Sequence, residues 1–330
     1  MKRIVVLMLG LALSSGAAAA EHGAPPAGHK VKPVKLPPDQ PIINLEQEAQ
    51  KYAGGTADSS HGRPSSEGHA AQAPARKPAS HKKAAGKHGV HWGYRGDTGP
   101  RHWGDLSPDY ILCKLGRNQS PVDIRRKKGS VGAQDLPSLE VVYGAPQMKI
   151  VNNGHTVQVS YPVGNSYIKV GDHRYELLQF HFHTPSEHQL DGFNYPMEMH
   201  LVHRDGDGNL AVIGILFKEG AFNNELEKLI RHLPKKPGKP VRYREVRVNA
   251  VKFFPKDTRF YKYSGSLTTP PCSEGVYWMV FKTPVEAAPE QLEAMERVLG
   301  ANNRPVQPRY ARHILKSWFE QRQDEPVYYY

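Results

Sequence analysis

Two histidines, His181 and His183, lie one residue apart in the stretch Gln179-Phe180-His181-Phe182-His183, where polar and aromatic residues alternate. Strict alternation predicts a β-strand, and side chains two residues apart on a strand point to the same face. The two imidazoles would then share a face with their Cα atoms roughly 6–7 Å apart, close enough for both to bind one metal ion. Taken alone, such a pair is more often two unrelated histidines than a metal site.

A second alternating stretch, residues 197–203, supplies a third histidine. The same periodicity places Glu198, His200 and Val202 on one face of a predicted strand. Three neutral imidazoles that leave one coordination position open are typical of catalytic zinc, whereas structural zinc favours thiolates in a closed shell. The chain has only two cysteines, so the sequence favours the catalytic arrangement.

Gln179 and Glu198 each precede a candidate metal ligand by two residues and share its face. A histidine that binds a metal usually donates its other ring N–H to an acceptor. We therefore predict that Gln179 and Glu198 accept hydrogen bonds from the ligand histidines. The alternative for Glu198 is a solvated strand residue, which its neighbours Met, Leu and Val disfavour.

These motifs resemble the core signature of the α-class carbonic anhydrases, and in particular their bacterial type. The resemblance extends from about His91 to about Ser317 and includes several further motifs in the same order as in the family. They are His91-Trp92-Gly93-Tyr94, Gln119-Ser120-Pro121-Val122-Asp123-Ile124, Asn152-Asn153-Gly154-His155, Ser186-Glu187-His188 and Ser266-Leu267-Thr268-Thr269-Pro270-Pro271-Cys272.

The resemblance implies an enzyme that reversibly hydrates carbon dioxide to bicarbonate and a proton by means of zinc-bound hydroxide. It implies that the zinc ligands are His181, His183 and His200. It also implies that the Thr268 hydroxyl accepts a hydrogen bond from the hydroxide and donates one in turn to Glu187. Spacing alone does not pair these two residues, since Thr268 could simply begin a turn and Glu187 could be exposed.

His155 matches the family's proton shuttle, and a histidine that titrates near neutral pH suits that role. From the sequence alone, a surface turn after Asn152-Asn153-Gly154 is the simpler interpretation of His155. The resemblance further implies a substrate pocket with an apolar and a polar wall. Its predicted residues are Val202, Val212, Leu267, Thr269, Trp278, Tyr94 and Asn153.

The elements that would position these residues are mostly short alternating segments separated by Gly, Asn and Asp turns. Helices are predicted over residues 223–233 and 289–299, the second beginning with Pro289 and ending before Gly300. We predict a mostly β fold with α+β character, as one domain over residues 91–330. The resemblance implies a large twisted, mostly antiparallel central sheet with peripheral helices.

The N-terminal ninety residues differ in composition. Residues 1–20 have the basic start, short apolar core and small-residue end of a cleavable signal peptide. Residues 21–90, rich in Pro, Ala, His and Lys, have too few large apolar groups to offset the entropy of ordering and are predicted to be disordered. The sequence thus predicts export to the periplasm or beyond, with no transmembrane segment after cleavage.

Cys113 and Cys272 are the only cysteines. Exported proteins meet an oxidising compartment, so a disulfide between the two is predicted, with two buried free thiols as the alternative.

The formal net charge is +12 at pH 7, but the sequence has no dense basic block of the kind that binds nucleic acid. The sequence leaves open whether the protein forms a homodimer. It also leaves open a weak contact of the basic extension with anionic cell-surface polymers. The histidines of the extension fit either metal capture or a plain spacer.

The second functional hypothesis is a surface-attached binding protein on a carbonic-anhydrase-like scaffold. A third, a different three-histidine metalloenzyme, leaves the Thr268 loop unexplained.

Overall fold

The computed structural model describes residues 90–126, 130–132 and 136–318, which all belong to one compact unit of the chain. The predicted signal peptide lies outside these residues, as does nearly all of the extension. In chain order the strands are β1 (Asp123–Ile124), β2 (Ser130–Gly132), β3 (Leu139–Val142), β4 (Gln147–Asn152), β5 (Val157–Ser160), β6 (Tyr167–Val170), β7 (His173–His183), β8 (Gln189–Leu190), β9 (Phe193–Asn194), β10 (Met197–Arg204), β11 (Leu210–Glu219), β12 (Val241–Arg247), β13 (Phe260–Ser266), β14 (Glu274–Phe281), β15 (Val285–Ala287) and β16 (Ile314–Lys316).

The helices are short and few within the described residues. The α-helices are α1 (Trp103–Leu106), α2 (Leu112–Leu115), α3 (Asn224–Ile230) and α4 (Pro289–Leu299), and the 3₁₀ turns are Gly96–Thr98, Pro108–Tyr110 and Ala250–Phe253. The predicted bounds of α4 are confirmed. Helix α3 begins one residue later than predicted because Asn223 is its N-cap, with a side chain that accepts from two backbone N–H groups of the first turn. It also ends at Ile230, three residues before the predicted end. None of the described helices is long and apolar enough to cross a membrane.

Thirteen strands form one twisted sheet in the order β12-β4-β5-β7-β10-β11-β14-β13-β16-β2, with β3, β6 and β15 attached beside this path. The predicted mostly antiparallel sheet is confirmed, although β11 pairs in parallel with β14 and β15, and β16 with β2. Strands β1, β8 and β9 form a separate small sheet.

The two faces of β7 explain its alternating sequence. Phe180 and Phe182 are fully buried in the larger of the core clusters, together with Met199 and Leu201 of β10. The polar residues between them must therefore point to the other face. Hydrophobic burial on one side thus fixes the direction of the histidines on the other.

The register between β7 and β10 brings the candidate ligands together. The two strands are antiparallel, and His200 lies directly opposite His181, while Glu198 lies opposite His183. Directly opposed residues have Cβ atoms about 4.5–5.5 Å apart. A slip of one residue would turn one set of side chains to the wrong face, so the packed phenylalanines hold the register that the site needs.

Candidate metal centre and cavity

Three buried histidines form a cluster whose geometry fits one metal ion. The ligand nitrogens of His181, His183 and His200 all lie within 4.8 Å of one another, and each residue is at least nine-tenths buried. Burial lowers the pKa of each imidazole, that of His183 to about 4. The rings are therefore neutral near pH 7, which is the form that binds a metal.

One nitrogen of each ring is hydrogen-bonded to an oxygen of the protein. This contact determines which ring nitrogen carries the proton. The pairs are His181 Nδ1 with Gln179 Oε1 at 2.9 Å, His183 Nδ1 with the carbonyl oxygen of Asn302 at 2.8 Å, and His200 Nε2 with Glu198 Oε1 at 2.9 Å. Since these oxygens accept, the ring nitrogens donate, and the opposite nitrogen of each ring keeps its lone pair.

The free lone pairs are the strongest indication of a metal site. His183 Nε2 is buried and has no hydrogen-bond partner among the described residues. A buried polar atom without a partner is costly, so it calls for an occupant. Three neutral imidazole nitrogens suit Zn²⁺ in a site that keeps an open position, and the residues present therefore fit zinc.

Glu198 is fully buried rather than solvated, and both of its oxygens are used. Oε1 accepts from His200 Nε2 and from His188 Nδ1 at 2.7 Å, and Oε2 accepts from the backbone N–H groups of Glu187 and His188 at 2.8 Å. Burial would raise the pKa of this carboxyl, but His188 and His200 hold it well below its usual value. Glu198 thus ties a ligand ring to the turn that follows β7.

Glu187 and Thr268 lie beside the histidine cluster. Glu187 Oε1 accepts from the backbone N–H of Arg304 at 2.8 Å, while Oε2 lies 3.6 Å from His183 Nε2. Burial raises the pKa of Glu187 to about 7, against opposing effects of His200, the Arg304 amide and the Thr268 hydroxyl. The Thr268 hydroxyl is therefore close enough to lower the pKa of Glu187, although no hydrogen bond joins the two side chains among the described residues.

A cavity of about 150 Å³ opens onto two of the histidines. Tyr94, Asn153 and Thr269, which were predicted as pocket residues, line it, as does His155. Four other predicted pocket residues are not among its lining residues. Val202, Val212, Leu267 and Trp278 instead pack together in a separate buried cluster, where the ring centroid of Trp278 lies 4.9 Å from that of His200.

His155 is half-buried at the wall of the cavity rather than free in solvent. Its ring stacks on Trp92 with centroids 3.7 Å apart and planes 7° apart. Burial, and to a smaller extent His91, lowers the pKa of His155 to about 4. The turn interpretation is partly right, because Gly154 has a φ of 92° that favours glycine and Asn153 Oδ1 accepts from the backbone N–H of His155.

Two buried residues of the site, Asn302 and Arg304, were not predicted. The Asn302 side chain accepts from the N–H of Thr184 and donates to the carbonyl oxygens of His155 and Phe182. These contacts join the end of β7 to the His155 turn. Both residues follow α4 in a loop without periodicity, and only the run of polar residues at 302–304 could have drawn attention to them.

Arg304 ties together segments that are far apart in the sequence. Its guanidinium donates to Gln119 Oε1 and to the carbonyl oxygens of Ser120 and Cys113, at 2.8–3.0 Å. The predicted disulfide between Cys113 and Cys272 is confirmed, and Gln119 Nε2 donates to the Cys272 carbonyl oxygen. The loop that carries Thr268 is therefore fixed to the N-terminal part of the described chain.

Comparisons with known proteins agree with this geometry. A family model described as eukaryotic-type carbonic anhydrase matches residues 98–318. The chain is 46% identical over 231 residues to a carbonic anhydrase from Nostoc sp. (69% of this chain, 86% of the relative) and 41% identical over 238 residues to one from Neisseria gonorrhoeae (71% and 90%). It is also similar to the solved α-carbonic anhydrase of Thermovibrio ammonificans in complex with sulfanilamide, with a TM-score of 0.66 and 50% identity over 69% of this chain and 100% of that chain.

Proposed function

The chain belongs to the eukaryotic-type, or α-class, carbonic anhydrase family, and on this premise we propose that it hydrates carbon dioxide reversibly at a zinc ion bound by His181, His183 and His200. The observation that carries the proposal is that each of these buried rings has one nitrogen occupied by an acceptor and the other facing its neighbours. When bound, zinc supplies Lewis acidity that lowers the pKa of water to about 7, for which carbonic anhydrase is itself the standard case.

The ring partners have the task of holding the ligands in place. Gln179, Glu198 and the Asn302 carbonyl fix both the tautomer and the orientation of the three rings. Loss of such partners typically costs about 10- to 100-fold in metal affinity or activity. We assign them as positioning residues.

Thr268 and Glu187 would orient the attacking water. A threonine hydroxyl has one proton, so a Thr268 hydroxyl that donates to the Glu187 carboxyl could only accept from a substrate water. That restriction selects one orientation of the nucleophile. The buried cluster of Val202, Val212, Leu267 and Trp278 offers an apolar surface beside His200, which suits carbon dioxide because the molecule has no net dipole.

His155 would pass the proton to the medium. Stacked on Trp92 it is a weak proton acceptor at pH 7, because burial lowers its pKa to about 4. If the ring turns away from Trp92 into solvent, its pKa returns towards the usual value of about 6.5. The role therefore requires a second ring position.

Replacing His155 with alanine is expected to lower kcat and to spare kcat/KM, since the residue acts only after bicarbonate has left. Added imidazole should restore much of kcat, because a free base can replace a relay. Stopped-flow hydration assays with increasing imidazole would measure both effects. An equal fall in kcat/KM without rescue would mean that His155 is structural.

The proposed activity itself is tested by two measurements on the purified full chain, zinc content and carbon dioxide hydration. We expect one zinc per chain and catalysis that disappears when a chelator removes the metal. A protein that holds zinc but does not hydrate carbon dioxide would contradict the function, and one that hydrates it without zinc would contradict the site.

We further propose that the enzyme is exported and works outside the cytoplasm. The confirmed disulfide between Cys113 and Cys272 supports an oxidising compartment. In this proposal residues 1–20 are a cleaved signal peptide, residues 21–90 are an extension, and residues 91–330 form the catalytic domain.

A further inference from the structure

A strip of positive charge lies at one edge of the large sheet. Residues 235–244 carry five positive side chains and no carboxylate, and all five cations are exposed. We call this set the basic ribbon; it consists of Lys235, Lys236, Lys239, Arg242 and Arg244. The nearest acidic residue in sequence, Glu245, directly follows it.

The charges of the ribbon are not neutralised by the fold. None of its five cations forms a salt bridge with a described residue. In the pairing of β12 with β4, Arg242 lies opposite another cation, Lys149. Like charges directly opposite each other on neighbouring strands are destabilising. At this register position Arg242 therefore faces a like charge rather than a carboxylate.

The need to prevent pairing of the exposed sheet edge with other chains explains only some of the cations in the ribbon. Strand β12 lies at the end of the strand order, and charged side chains on an edge strand prevent pairing with other chains. That account covers Arg242 and Arg244, which belong to β12. It does not cover Lys235, Lys236 and Lys239, which precede the strand.

The lysine part of the ribbon borders the cavity. Asn152 Nδ2 donates to the Pro234 carbonyl oxygen at 3.1 Å, and the Gly238 N–H donates to the Asn152 carbonyl oxygen at 3.0 Å. A side chain at Gly154 would meet Pro237 at 3.8 Å. Residues 234–238 therefore pack against the turn that carries Asn153 and His155, and both of these residues line the cavity.

We propose that the basic ribbon attracts phosphate-type oxyanions to the mouth of the cavity, where they take up the proton that leaves through His155. The inference rests on the proposed hydration activity. In the step itself, hydrogen phosphate takes one proton from the protonated imidazole and leaves as dihydrogen phosphate, and the ring becomes neutral again. A cluster of like charges beside a cleft raises the local concentration and the arrival rate of counter-ions, by about 10- to 1000-fold in strong cases.

The test uses the zinc-loaded full chain and a variant that combines Lys235→Gln, Lys236→Gln and Lys239→Gln. At about 10 mM ionic strength the Debye length is about 30 Å, so the whole ribbon acts on an approaching anion. We expect the buffer-dependent hydration rate with phosphate to fall at least about threefold in the variant. The rate with a neutral imidazole buffer should stay unchanged, and at about 1 M salt, where the Debye length is about 3 Å, the difference should disappear.

A matched control removes three cations, two exposed and one half-buried, from elements that do not line the cavity. It combines Lys169→Gln on β6, Lys256→Gln before β13 and Arg297→Gln on α4. We expect the phosphate-dependent rate of this control to match that of the unmodified chain. An equal fall in both triple variants would overturn the proposal, because net charge rather than the ribbon would then steer the anion.

A second measurement does not depend on catalysis. Backbone amide shifts of the non-proline residues among 235–244 are followed by NMR as inorganic phosphate is added at constant ionic strength. We expect saturating shifts in the unmodified chain and none in the ribbon variant; their absence in both overturns the proposal. Failure of hydration in every buffer would reject the proposed function, whereas normal hydration with equal phosphate rates would reject the ribbon alone.

Discussion

Replacing His200 with alanine is expected to abolish nearly all carbon dioxide hydration and to strip the protein of zinc. In the proposed site the ring supplies one of three ligand nitrogens, and its other nitrogen donates to Glu198 at 2.9 Å. Loss of a residue that merely orients a ligand typically costs about 10- to 100-fold in metal affinity, so loss of the ligand itself should cost more than about 100-fold. Zinc content after dialysis and the hydration rate measure the two effects.

His203 offers a matched control on the same strand. It is fully buried and its ring contacts the Tyr143 hydroxyl and the Ala211 carbonyl oxygen, away from the ligand cluster. The variant His203→Ala should lose stability but keep its zinc. Full zinc content and activity in His200→Ala would refute the proposed site, and equal zinc loss in both variants would trace the effect to folding.

Removing the disulfide is expected to give the largest loss of stability. Cys113 and Cys272 are 159 residues apart, and in the chain-entropy model a loop of that length is worth up to about 5 kcal/mol. The double variant Cys113→Ala and Cys272→Ala should therefore unfold at a much lower denaturant concentration. Its affinity for zinc should change less, because the three candidate ligand rings are held by Gln179, Asn302 and Glu198 and not by either cysteine.

The same experiment can be done without mutation. Reducing the unmodified chain should lower the denaturation midpoint to near that of the double variant, and the reductant should not affect the double variant itself. An unmodified chain in which two free thiols are titrated before reduction would remove the premise of this prediction.

Local periodicity predicted the part of the fold that holds the histidines. Strands β7 and β10 alternate because one face of each packs in a hydrophobic core, and that alternation is visible in the sequence. The same rule placed Gln179 and Glu198 beside the rings that they contact. It does not reveal β13, which lies between β14 and β16 and has most of its residues buried on both faces, so that no alternation remains.

Contacts from distant loops could not be predicted in this way. The acceptor for His183 is a backbone carbonyl at Asn302, 119 residues further along the chain, and the side-chain type does not encode it. Arg304 reaches Gln119 across 185 residues. The pairing of Thr268 with Glu187 came from the family resemblance, since neither lies on a strand whose period relates them.

Asn302 and Arg304 supply hydrogen-bond partners to the site from late in the sequence. Their position therefore determines when the site can form during synthesis of the chain. All three ligand histidines have been synthesised by residue 200, but the acceptor for His183 and the amide that binds Glu187 come about a hundred residues later. Pairings between distant segments form slowly because the loop must close before the contact contributes. The backbone carbonyl of Cys113 must therefore wait for its contact until Arg304 has been made. A molecule clipped before residue 302 would carry every ligand histidine and still have an unfinished site.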